Sequence, residues 1–129
     1  MDKRSFRKQC YKERLENTIN DVEIILNRIR KLNHSYESIG EEVILKELEN
    51  CYCDLELSMA LMAVIIRKLV ENQFTKINDD DRADINALVH SNRFDYRDDE
   101  VIVFSRLSSE NVQIEHFIEL GKTILSQLN

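Results

Sequence analysis

Residues 45 to 69 carry apolar side chains at Leu45, Leu48, Tyr52, Leu55, Met59, Met62, Ile66 and Leu69, in alternating steps of three and four and with no charge in the series. That spacing gathers all of them on one face of an α-helix. A strand, whose side chains alternate with a period of two, would scatter them. Between Leu57 and Ile66 the remaining faces are apolar or small as well (Ser58, Ala60, Leu61, Ala63, Val64, Ile65), the pattern of a helix enclosed by protein. A bilayer span needs about 20 apolar residues. Glu56 and Arg67 confine the run to half of that, so the segment reads as a buried central helix and no membrane partner is expected.

The preceding segment repeats the seam. Tyr11, Leu15, Thr18, Val22, Ile25, Ile29, Leu32 and Tyr36 follow the same heptad steps, with Thr18 the one polar member. Ile19, Ile24 and Leu26 widen the stripe beyond what one partner helix covers, so a first helix over about residues 5 to 34 is expected to face more than one neighbour. "NHSYESIGEE" ends it, and Ser38 followed by Glu41 has capping-box spacing for the second helix. A short turn there makes the two helices antiparallel.

Composition agrees. The chain has 129 residues, no Pro and two Gly, so it holds almost none of the residues that interrupt helices, and its length suits a single domain over 1–129. The expected fold is all-α: an antiparallel bundle of about four helices led by two long ones. A net charge of −6 opposes non-specific contact with nucleic acid or anionic lipid. The charged start "MDKRSFRKQC" lacks the plan of a secretory signal, and three cysteines make no disulfide framework, so a cytoplasmic protein with free thiols is expected.

Beyond Phe74 the pattern weakens. Asn78 or Asp79 caps a short third helix that starts on Asp80, Asp81 and Asp84, buries Ile85, Leu88 and Val89, and ends near Ser91. "NRFDYRDD" reads as a mobile loop. "EVIVF" at 100–104 is compatible with a strand or a helix, and without an evident pairing partner it is expected as a helical turn or an extended segment on the bundle. Ser108 or Ser109 then caps a last helix whose inward residues are Val112, Phe117, Leu120, Ile124 and Leu128. Gly121 within it marks a close helix crossing.

Candidate chemistry is sparse. Cys51 and Cys53 point about 200° apart on a helix and cannot hold one ion together. His34, His90 and His116 lie in three different elements, none with a His or Cys three or four residues away, so no metal or other cofactor is expected. The acidic cluster from Asp79 to Asp84 lacks the alternating ligands and central Gly of a calcium loop. Lys3, Arg4, Arg7, Lys8, Lys12 and Arg14 make the first fourteen residues basic. Cations at a helix start oppose its dipole, so a solvated, partly disordered end is expected, with nucleic-acid binding through this arm as an alternative.

"RADINALVHSNRFDYR" collects Arg82, His90, Arg93, Tyr96 and Arg97 after the two long helices and before the closing one. In that layout the chain resembles the HEPN family of helical ribonucleases and toxin-like proteins, whose motif sets an Arg, a polar residue and, after four to six residues in all, a His at a dimer cleft. The resemblance implies RNA cleavage there, with Arg82, His90 and Arg93 as candidates: His as general base, Arg against the charge of the phosphorane. Here Ala83 follows Arg82 and seven residues separate Arg82 from His90, which departs from the motif. Eight positions on a helix amount to about 12 Å, too far to share one phosphate within one subunit. The sequence favours a non-enzymatic protein–protein interaction or regulatory module that forms a homo-oligomer, the simplest being a homodimer. Both long seams are wider than one antiparallel partner can cover.

Overall fold

The computed structural model describes residues 2–35, 40–90, 92–97, 100–105 and 111–129, with side chains described for all of these except Glu41 and residues 90–113. Among the described residues four helices pack together: α1 (Lys3–His34), α2 (Glu41–Glu71), α3 (Asp79–His90) and α4 (Ile114–Leu128). Between α3 and α4 run three short strands, β1 (Asn92–Arg97), β2 (Glu100–Ser105) and β3 (Asn111–Gln113).

The two long helices lead the bundle, and their direction follows from side-chain pairs. Arg4 lies over Phe74 and Arg7 donates to Asn72, whereas Arg28 pairs with Glu47. The start of α1 therefore meets the end of α2, and the two are antiparallel. α4 runs against α1 in the same sense, with Arg30 paired to Glu115 and Glu23 to Lys122.

α2 is the central element. Leu55, Met59, Met62, Ile66 and Leu69 are completely buried in one cluster with Leu15, Val22 and Ile29 of α1, Ile85 and Leu88 of α3, and Ile114, Phe117 and Ile124 of α4. Burying each such side chain is worth about 1.5–3 kcal/mol. Thr18 also lies in the seam. Its hydroxyl donates to the Arg14 carbonyl at 2.7 Å, which satisfies the one polar group there. At the start of α2 the inward residue is Ile44, and Leu45 is exposed. The helix is capped at Gly40, at a φ of 103°, in place of Ser38, which lies outside the described residues. Tyr36 also lies outside them.

The helix ends have clear causes. The Asp2 carboxylate accepts from the Ser5 amide at 2.7 Å, so α1 begins at Lys3 as an ordered helix and the partly disordered start expected from its cations is corrected. Asn78 does the same for Asp81 at the head of α3. α2 closes in a Schellman turn: the amide of Phe74 bonds to the Leu69 carbonyl and that of Gln73 to Val70, with Gln73 at a φ of 62°.

The strands correct two expectations. "NRFDYR" is β1 rather than a loop, and "EVIVF" falls in β2, paired residue for residue with β1 from Asn92↔Ser105 to Arg97↔Glu100. β3 pairs with the other edge of β2, antiparallel, giving the order β1-β2-β3. The partner that "EVIVF" lacked is the segment just before it, across a two-residue link that favours a hairpin. The last helix consequently starts at Ile114. Ser108 and Ser109 lie outside the described residues. Of the inward set, Phe117, Ile124 and Leu128 are buried and Leu120 is partly buried. Val112 sits in β3, and its side chain is outside the described set. Gly121 is the close crossing, against Ile19 of α1 and Met62 of α2. Among the described residues no helix is long and apolar enough to cross a membrane.

Candidate functional site

Among the described residues, α1 and α2 share an uncovered apolar face. Ile19 and Leu26, two of the three residues that widen the first seam, are buried; the third, Ile24, is 67% exposed. Across the shallow groove between α1 and α2, Leu57 is 72% and Leu61 53% exposed, so the middle of α2 is open on this side. Ile24, Ile25, Leu57 and Ser58 line the groove together, bordered by Asp21 and Asp54. Scattered leucines at a surface are ordinary, whereas large aliphatics gathered on two adjacent helices mark a contact surface. Among the described residues, the other exposed large apolar side chains, Phe6, Val43 and Leu45, lie near helix starts. Leu57 stands about 20 Å along α2 from Val43.

The basic start of α1 is engaged within the chain. The Arg4 guanidinium stacks 4.4 Å from the centroid of the Phe74 ring, and Arg7 donates to the Asn72 side chain at 3.3 Å. Both contacts fasten the first turns of α1 to the turn that ends α2. Lys3 and Arg14 are exposed, and Lys8 and Lys12 are half-buried. The arm is thus a helix end tied down by two of its six cations.

Of Arg82, His90 and Arg93, only Arg82 has a described side chain. Arg82 is exposed on α3, where it borders a shallow pocket with Arg67, Glu71 and Ile77. His90 closes the same unbroken helix and Arg93 opposes Phe104 in the sheet; their side chains, like those of Tyr96 and Arg97, lie outside the described set. Cys51 is buried and Cys53 exposed, as their divergence on α2 requires, and burial raises the pKa of the Cys51 thiol.

One constellation escapes sequence reasoning. His116, in the first turn of α4, has its Nε2 3.0 Å from Oδ1 of Asp81 in the first turn of α3, and Asp84 lies on the same face of α3 as Asp81. The histidine that had no ligand spacing in its own helix meets two carboxylates from another, more than thirty residues away in sequence. No local signal announces such a meeting. Comparison with protein-family models, with curated proteins and with solved structures finds no match to this chain.

Proposed function

We propose that the chain is a protein-interaction module that associates with a second copy of itself through the outer face of α1 and α2. The observation that carries this reading is the exposure of Ile24, Leu57 and Leu61, each more than half open to solvent, on neighbouring helices. A helix of 31 or 32 residues is about 47 Å long, so two side by side, about 10 Å apart, offer a face of roughly 900 Å². A stable interface takes about 800 Å² from each partner. The face is therefore large enough for a two-fold contact.

Charge supports a second copy as the occupant. Asp21 and Arg28 stand three residues before and four residues after Ile24, and Arg28 remains 64% exposed although it pairs with Glu47. In a two-fold pairing that sets α1 antiparallel to its mate about Ile24, each Asp21 approaches Arg28 of the second copy. The aspartate next to the groove then has a cation across the interface.

Sedimentation equilibrium tests the reading. The wild type is expected at twice its 15.3 kDa mass, and Leu57→Glu with Leu61→Glu at the mass of one chain with unchanged helical circular dichroism. A wild type of single-chain mass at high micromolar concentration, or a dimer indifferent to the double substitution, overturns it.

A further inference from the structure

We infer that Asp81, Asp84 and His116 form a binding site for a first-row transition-metal dication of the Zn²⁺ type, clasping α3 to α4. One donor atom from each residue lies within 4.8 Å of the other two. Two ligands held about 2.1 Å from a common ion, at tetrahedral or octahedral angles, stand roughly 3.0–3.4 Å apart. The Asp81–His116 separation of 3.0 Å already has that value. Asp84 offers a carboxylate oxygen within 4.8 Å of both, as the third member of a facial set.

The positions are well supported. Asn78 accepts from the amide of Asp81 at 2.7 Å and fixes the first turn of α3, and the Asp81 side chain is only 16% exposed. His116 is half open, with its ring set edge-on to buried Phe117, which leaves coordination positions facing water. The positive ends of both helix dipoles oppose a cation, but each amounts to about half a charge, and two carboxylates outweigh them. An imidazole with two carboxylates is a borderline donor set, which selects Zn²⁺ and its neighbours over Mg²⁺ and Ca²⁺, ions that prefer oxygen alone.

The alternative is a plain hydrogen bond between Asp81 and His116, and Asp84→Asn separates the two. It leaves that bond intact while removing one ligand charge. Calorimetric titration of the intact chain with Zn²⁺ is expected to show a saturable site and a raised melting temperature. Affinity should fall at least about tenfold in Asp84→Asn and vanish in His116→Gln, with both variants keeping their helical spectrum, and millimolar Mg²⁺ should not displace the ion. No saturable uptake, equal uptake in both variants, or displacement by Mg²⁺ overturns the assignment. The outcome does not depend on the self-association proposed above, since Leu57→Glu with Leu61→Glu should bind Zn²⁺ as the wild type does.

Discussion

A β-carbon placed on Gly121 would stand 2.8 Å from Cδ1 of Ile19, closer than two carbon atoms pack, so α4 reaches α1 at this level only because residue 121 has no side chain. Two effects of Gly121→Ala compete. The helix gains about 1 kcal/mol of propensity, and overpacking costs about 1–3 kcal/mol. The single substitution is expected to lose up to about 2 kcal/mol by urea unfolding. In an Ile19→Val background, where Cδ1 is gone, the same change should become neutral or stabilising. A loss of equal size in both backgrounds would contradict the crossing.

Gln73 holds a left-handed φ of 62° at the position after the α2 cap, where glycine is the usual occupant. A non-glycine residue there costs roughly 1–2 kcal/mol, partly offset by the greater chain entropy of glycine in the unfolded state. Gln73→Gly is therefore expected to stabilise the protein by about 0.5–1 kcal/mol. Chemical denaturation checks the sign.

Arg4 and Phe74 join the start of α1 to the end of α2 through a cation–π contact at 4.4 Å. Arg4→Ala should cost about 0.5–1 kcal/mol and speed amide exchange in the first turns of α1. Lys3→Ala, at an exposed neighbouring position, should change stability by less than about 0.5 kcal/mol. Equal effects of the two would mean that the stacking contributes nothing.

Hydrogen bonds from the amide and the side chain of Ser5 hold the Asp2 carboxyl below its ordinary value of 3.8. A carboxyl depressed in the folded state stabilises the helix start fully above its unfolded pKa, and that contribution is lost as pH falls through the folded one. Protection of the Ser5 amide, its exchange taken relative to an unstructured chain at the same pH, should therefore fall only below about pH 4. Asp2→Asn, which keeps a cap oxygen, should flatten that dependence.

Most of the bundle is legible in the sequence because a heptad seam is a local signal. Met59, Met62, Ile66 and Leu69 are buried as their spacing requires, and Gly121 is a crossing as its place in a helix implies. The strands are less legible for a physical reason. "EVIVF" has no period that separates strand from helix, and its partner alternates Phe94 and Tyr96 with charged neighbours over too few residues to stand out among the charges around it. The open groove was half legible. The apolar width around Ile24, Leu57 and Leu61 is plain, but which residues stay uncovered depends on where α4 docks, and Ile19 and Leu26 went under it while Ile24 did not. The meeting of Asp81, Asp84 and His116 depends wholly on tertiary packing.

The most direct test of the central proposal is an isotope-filtered NOE experiment on an equal mixture of ¹³C-labelled and unlabelled chains. Intermolecular contacts are expected from the methyl groups of Ile24, Leu57 and Leu61, and none from buried Met59 or Ile66. Intermolecular contacts arising elsewhere on the surface, or their complete absence at millimolar concentration, would contradict it.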